Sequence, residues 1–498
     1  MNIFKSLYKS FKIALASDEE IQNIQLKFPR SLSFLKRRLD KTKFSGYKVT
    51  VLVAFFVFVM FLLVGAINSF VTLDSIVQAD VRVNNLLYVF RNASAVKFFI
   101  WITLLGQTPT VVIFTLVAVI LLWLTKKNWQ ILGLLISIVG GETFTYIAKW
   151  IFQRPRPVGA VILESTNSFP SGHATIAVAL YGFFAYLWLK RTKRKFHRIL
   201  IVILTFIVVG AIGFSRMYLG VHYVSDVWTG YLVGLLWLVI GIWLTELKLF
   251  KLPIELNVQK IVIKKTQILF YSLMIFVFVF YIFYGLSFKP KFLPKLPITI
   301  ARTTQNMAKI FSDYELTRYS ETLTGDFQEP INFIISTKDD QSLIASFSKA
   351  GWTLADQVDI KSSLKILKYS ISNTDFPTAP MTPSFWNKQV HDFGFEKSTE
   401  TKSARQRHHA RFWKTNLKTS QGETIYVGTV SLDIGIKWLI THKISPDIDT
   451  ERDLLFADLQ NTGNVLNYEK IKLVDPVLGE NFGGDQFFTN GEAYLLKM

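Results

Sequence analysis

Three short clusters in the chain hold residue types suited to phosphate chemistry. Lys149 is followed seven residues later by Arg156-Pro157. Pro170-Ser171-Gly172-His173 stands between two apolar stretches. Arg216, His222 and Asp226 follow at spacings of six and four. Brought together, Lys149, Arg156 and Arg216 would surround one spot with positive charge, and a guanidinium fork matches phosphate oxygens in pairs. Gly172 lets the backbone approach closely, Ser171 can donate from its hydroxyl, and a helix opening there offers free N–H groups to an anion. Such a cluster stabilises charge on the equatorial oxygens of a phosphoryl group. On a helix starting near residue 222, His222 and Asp226 share a face one turn apart. The carboxylate then accepts one ring N–H and leaves the other nitrogen as an oriented nucleophile. His173 becomes the general acid for the leaving oxygen, and water hydrolyses the phosphohistidine. No carboxylate cluster calls for a metal, and the scheme needs no cofactor.

The elements that must position these residues are membrane helices. Half of the 498 residues are hydrophobic and 43 are Phe, too apolar for an ordinary soluble protein of this length. A membrane helix needs about 20 predominantly apolar residues. Seven runs qualify, at 48–70, 101–125, 129–149, 173–190, 199–214, 224–246 and 267–288. Gly106, Gln107 and Pro109 suggest a separate short helix at the start of the second. Each phosphate-type cluster falls at the same end of its spans, so the fold can gather them at one depth. No cleavable signal peptide is expected, and residues 1–16 can lie along a membrane interface, with Lys5, Lys9 and Lys12 between apolar residues.

The net charge of +20 does not point to nucleic acid. Residues 289–498 carry 25 Lys and Arg against 25 Asp and Glu, so the whole excess lies in residues 1–288, beside the apolar runs. Basic segments at 1–48, 126–127, 190–198 and 247–266 fall on one side of a seven-span chain, which the positive-inside rule makes cytoplasmic. The phosphate-type clusters and everything after residue 288 then face outward from a cytoplasmic (inner) membrane. With no cysteine, disulfides and thiolate chemistry are excluded.

Lys-x6-Arg-Pro, Pro-Ser-Gly-His and Arg-x5-His-x3-Asp, in this order, resemble the type 2 phosphatidic acid phosphatase superfamily, relatives of vanadium haloperoxidases. Ser215, just before the arginine, also matches. The resemblance covers residues 48–246 and implies a mainly α, six-helix transmembrane core. It also implies phosphate contacts from Lys149, Arg156, Ser171, Gly172 and Arg216, with His173 as acid, His222 as nucleophile and Asp226 as its orienter. Arg154 is read as a bystander, and the intramembrane Glu142 as an acid awaiting a partner. The expected organisation is a basic segment 1–47, the core 48–246, a loop and extra transmembrane helix 247–288, and a soluble mixed α/β domain 289–498. That domain resembles the LssY-type C-terminal domain; a Pro/Lys linker, KPKFLPKLP, precedes it.

The expected activity is metal-independent hydrolysis of a lipid phosphomonoester or pyrophosphate, such as a polyprenyl pyrophosphate or a phosphatidate-type lipid. The alternatives are a lipid phosphotransferase, a vanadate-binding haloperoxidase and a non-enzymatic envelope or secretion accessory. Expected partners are the bilayer, a membrane lipid substrate and an envelope partner for the C-terminal domain. His408, His409, His442, Asp447 and Asp449 tempt as metal ligands. Adjacent residues on a strand face opposite ways, however, and Asp449 or Thr450 suits the cap of the helix that follows. The C-terminal domain has no motif that completes the phosphate cluster and is expected to be dispensable for the chemical step.

Overall fold

The computed structural model describes residues 27–39, 44–73, 75–251, 262–292, 301–356, 378–401, 406–437, 441–481 and 483–498. The segment 1–16, most of the linker, part of the 247–266 loop and the β-like run at 364–371 lie outside the described residues.

The helices, in chain order, are α1 (Pro29–Leu39), α2 (Val49–Val71), α3 (Ser75–Val89), α4 (Ala93–Leu104), α5 (Thr108–Leu124), α6 (Asn128–Phe152), α7 (Gly172–Arg191, with one π-type turn at Ala177–Tyr181), α8 (Lys195–Tyr218), α9 (Val224–Lys251) and α10 (Val262–Ser287). Among the described residues seven spans are long and apolar enough to cross a membrane; α4 and α5 together make the second. That break falls where Gly106 and Pro109 suggested it, and the short helix reaches back to Ala93. Large side chains such as Phe61, Trp150, Phe206 and Phe283 point outward, exposed by 69–75%. Water would penalise such a belt, whereas hydrocarbon accepts it, and the backbone polar groups are satisfied within the helices. This is a multi-pass membrane protein.

The middle of the bundle is α9, packed on α2, α6 and α7. Gly230 and Gly234 make the α7 contact close. A Cβ on Gly230 would stand 2.5 Å from the Ser171 carbonyl oxygen, and one on Gly234 2.6 Å from that of Thr175. Small residues at this spacing let two membrane helices approach through their backbones. The N-terminal ends of α7 and α9 are thereby brought side by side, with Ser171 N–H on the Asp226 carbonyl at 3.0 Å.

After α10 the chain builds a sheet domain. Its main strands are β1 (Phe333–Thr337), β2 (Phe393–Ser398), β3 (Arg407–Thr419), β4 (Thr424–Lys437), β5 (Asn467–Lys472) and β6 (Glu492–Lys497), in the order β5-β6-β1-β4-β3-β2 within a nine-stranded sheet. Neighbours among these six are antiparallel except β6 and β1, which are parallel. One face buries Phe333, Phe395, Phe412 and Tyr426 against Leu343 and Phe347 of α11 (Asp340–Lys349) and Leu455 and Leu459 of α12 (Ile448–Asn461). The other packs Trp413, Ile425 and Val427 on Trp386. The cap of α12 differs from expectation. Asp447, rather than Asp449 or Thr450, accepts from the N–H groups of Asp449 and Thr450, and Asp449 is taken up by Arg452, Thr489 and Asn490.

The domain sits at the end of the bundle that carries the three clusters. Leu163 N–H donates to the Lys291 carbonyl. Arg82 of α3 pairs with Glu321.

Candidate active site

The eight residues singled out in the sequence lie together at the end of α6, α7, α8 and α9. Lys149 closes α6, and its ammonium donates to the Asn167 carbonyl while Asn167 Nδ2 returns a bond of 3.0 Å to the Lys149 carbonyl. Arg156 lies in the following loop, held by the carbonyls of Thr166 (2.8 Å) and Val221 (2.6 Å). Its Nη1 also stands 3.3 Å from His222 Nε2. Arg216, in the last turn of α8, is 1% exposed; its Nη1 donates to Thr103 Oγ1 at 2.7 Å and its Nη2 to Glu164 at 2.5 Å.

The helix expected to start near residue 222 starts at Val224, so His222 precedes α9 while Asp226 sits in its first turn. His222 Nδ1 lies 3.4 Å from Asp226 Oδ2, which also accepts the Tyr223 N–H at 2.9 Å. A neutral imidazole with its proton on Nδ1 satisfies both neighbours, donating to Asp226 and accepting from Arg156. Burial, then the charges of Arg156, Arg216 and Lys149, push the imidazolium of His222 well below its ordinary range. The ring is therefore neutral at pH 7. Burial lowers Arg156 to about 10, which leaves it charged. Burial would raise Glu164, but Arg216 and Arg156 outweigh it and hold the carboxyl below its usual range.

Three polar atoms at this site have no hydrogen-bond partner among the described residues: Ser171 Oγ, His173 Nε2 and Arg216 Nε, all buried atoms. Native interiors rarely tolerate this, because an unmatched buried polar atom forfeits its hydration. All three belong to residues chosen for phosphate chemistry. Gly172 behaves differently from expectation: a Cβ there would point at Glu142 and Thr145, no closer than 3.7 Å. Glu142 thus lies behind the glycine. Ser215 Oγ turns back onto the Ile212 carbonyl at 2.6 Å within its own helix.

Arg154 is no bystander. Its guanidinium bridges Asp226 Oδ1 (2.6 Å) and Asp80 Oδ2 (2.8 Å) and lies over the Tyr223 ring at 4.1 Å. Asp80 and Glu164 are the acids that sequence reasoning missed. The second arginine in Arg-Pro-Arg-Pro marked one cation, but nothing local marks Asp80 within QADVRVNN.

The metal-like histidines of the C-terminal domain do not form one site. His408 Nδ1 meets Glu451 at 2.8 Å on the α12 side, whereas His409 turns to the opposite face, between Asp433 (3.0 Å) and Glu396 (3.3 Å). His442 lies in a strand, and its side chain is outside the described residues.

Residues 130–249 match the PAP2 superfamily and residues 313–493 the LssY C-terminus. The chain carries a PAP2 domain followed by an LssY C-terminal domain. Phosphatidylglycerophosphatase B of Bacillus subtilis is 36% identical over 115 residues, 22% of this chain and 56% of that protein. The chain therefore spans little more than half the length of that curated relative. Two solved structures are also similar. The transmembrane PAP2-type phosphatidylglycerolphosphate phosphatase of Bacillus subtilis is 26% identical with a TM-score of 0.34, covering 39% of this chain and 96% of that one. LpxE of Aquifex aeolicus is 27% identical with a TM-score of 0.26, covering 32% and 92%.

Proposed function

We propose that the protein is a lipid phosphatase that removes a phosphate from a membrane lipid through a phosphohistidine. The observation that carries this reading is the convergence of Lys149, Arg156 and Arg216 on His222, with Ser171 Oγ, His173 Nε2 and Arg216 Nε unpartnered beside them among the described residues. A phosphoryl group supplies what all of them lack.

The mechanism follows from the positions. Lys149, Arg156, Arg216, Ser171 and the Gly172 N–H bind the phosphoryl oxygens and take up charge as it develops. His222 Nε2 attacks phosphorus, the bond to the lipid oxygen breaks, and His173 gives that oxygen a proton. Asp226 holds the Nδ1 proton and so fixes the tautomer that attacks. In the second half-reaction water attacks the phosphohistidine, and His173 takes its proton. Phosphate leaves and both histidines return to their starting states.

The family and the curated relative make phosphatidylglycerophosphate a leading substrate, with phosphatidate and polyprenyl pyrophosphate beside it. The site and the LssY-type domain face the outer side of the inner membrane on the charge distribution of the loops. The test is to incubate purified protein in lipid vesicles with each of these three lipids, labelled in the terminal phosphate. Label should appear as free phosphate. Label moved into another lipid would make the protein a transferase, and inertness on all three would overturn the hydrolase reading.

A further inference from the structure

We propose that α3 is a joint through which the C-terminal domain holds the reacting histidine in place, with Asp80 and Arg154 as positioning residues. The inference rests on the phosphohistidine reading and adds to it a route from the second domain to the first.

The fifteen residues of α3 present two faces to two partners. Asp80 and Asn84, one turn apart, face the membrane core. Asp80 accepts from Arg154 (2.8 Å), from the Ser225 N–H (3.0 Å) and from Ser225 Oγ (2.5 Å). Asn84 donates to the Val158 carbonyl at 3.2 Å, in the loop that carries Arg156. Arg82 and Asn85 form the other face. Arg82 Nε and Nη2 both donate to Glu321 Oε2, at 2.9 and 2.8 Å, with both side chains under 8% exposed. The same Glu321 oxygen accepts the Lys388 N–H at 3.1 Å, and Asn85 donates to the Lys388 carbonyl at 2.8 Å.

The core-facing contacts decide where His222 stands. Asp226 is fully buried, and its two oxygens are divided between Arg154 on one side and Tyr223 N–H and His222 on the other. Without Asp80, Arg154 loses the partner that fixes its reach, and the first turn of α9 loses the acceptor for Ser225. A nucleophile displaced by about 1 Å costs on the order of 100-fold in rate. A buried ion pair holds its geometry firmly, because either charge left alone is heavily penalised. Arg82–Glu321 therefore fixes α3, and α3 fixes Asp80. Among the described residues no group of the domain bonds to the eight residues of the cluster, yet its Glu321 stands three paired contacts from Asp226: Glu321 to Arg82, then Asp80 to Arg154, then Arg154 to Asp226.

The experiment uses the full chain in vesicles, with Asp80→Asn, Glu321→Gln and Arg82→Lys. Two quantities are read: kcat and KM on whichever lipid phosphate the wild type hydrolyses, and hydrogen exchange at the amides of Tyr223 and Ser225. Asp80→Asn should lower kcat by about 100-fold with KM within about threefold. Glu321→Gln should lower kcat by about tenfold, and both should speed exchange at the two amides. Arg82→Lys, which keeps the charge, should lie nearer the wild type. If Glu321→Gln speeds exchange only in residues 319–330 and 385–390 while 218–226 and kcat stay unchanged, the ion pair is a tether and the proposal fails. A wild type inert on every lipid phosphate would overturn the reaction, and exchange alone would still decide the joint.

Discussion

The molecule contains two buried clusters of charge, and they are built on opposite rules. In the membrane core, Lys149, Arg156 and Arg216 lie around Glu164 and near Asp226, which Arg154 also holds, and three polar atoms stand without partners among the described residues. In the C-terminal sheet, Glu396 of β2, Arg407 and His409 of β3 and Asp433 of β4 pair across three strands. Arg407 meets Glu396 at 2.8 Å, and His409 sits between Glu396 and Asp433. A buried charge must be compensated. The sheet cluster finds its compensation within itself and so joins strands. The membrane cluster leaves Ser171 Oγ, His173 Nε2 and Arg216 Nε unmatched among the described residues. Burial and perturbed ionisation are common to both; the unmatched polar atoms separate a candidate site from a brace.

The largest expected effect comes from removing the nucleophile. His222→Ala should reduce phosphate release on the order of 10^4-fold or more, as losing a covalent nucleophile does in other hydrolases. Asp226→Asn should leave substrate binding largely intact and lower turnover by roughly 10^2- to 10^4-fold, since only the tautomer control is lost. Chelators should change neither, because three side-chain cations supply the charge. His409→Gln, in the balanced cluster, should leave the chemistry in place and weaken the domain. Near-normal turnover in His222→Ala, measured with the purified protein, would remove the mechanism.

What the sequence disclosed about these clusters follows from distance along the chain. Lys149 to Arg156, Pro170 to His173 and Arg216 to Asp226 are local spacings fixed by helix and loop geometry, so the residues could be chosen without a structure. The spans were legible because hydrocarbon demands long apolar runs. The bridge from Arg154 to Asp80 joins residues 74 apart, and that from Arg82 to Glu321 residues 239 apart. No periodicity records such pairs, so the sequence alone gives Arg154 no partner. The sheet was legible as alternating runs such as INFIIS and TIYVGTVSL. Its order was not, since β6, near the end of the chain, inserts between β5 and β1. The cap of α12 was missed by two residues, where Asp447, Asp449 and Thr450 compete on equal local terms.

The two clusters also shift histidine in opposite directions, which pH can read. His222 is pushed well below its ordinary value, so the acidic limb of kcat/KM for the free enzyme should lie clearly below pH 6.5. For His409, burial alone would lower the value, but Asp433 and then Glu396 outweigh it and raise it to about 9. A histidine raised in the folded state stabilises it fully below the unfolded value near 6.5 and loses that contribution as pH rises through about 9. The melting temperature of the C-terminal domain should therefore fall between pH 6.5 and 9, with a loss on the order of 3 kcal/mol at most. Melting of the full chain, followed by tryptophan fluorescence, checks this. His409→Gln should flatten the slope. An unchanged slope in that variant would show that the sheet cluster does not brace the fold through this residue.

The smallest expected effect is at Gly172, and it sharpens what the membrane cluster asks of its backbone. The residue opens α7 and lies between Ser171 and His173, yet a side chain there does not point at either. A Cβ would meet only Glu142 and Thr145 at 3.7 Å or more, which is ordinary contact, and no left-handed backbone is required. The N–H that faces an anion is retained in alanine, and losing one such donor outright costs about 10^2- to 10^3-fold. Gly172→Ala should therefore fold normally and keep kcat within about tenfold of the wild type. A loss beyond 100-fold, with melting unchanged, would mean that the phosphoryl group or the lipid attached to it runs between Gly172 and Glu142. Glu142 would then line the substrate path, and the pocket would extend behind α7 rather than end at its first turn.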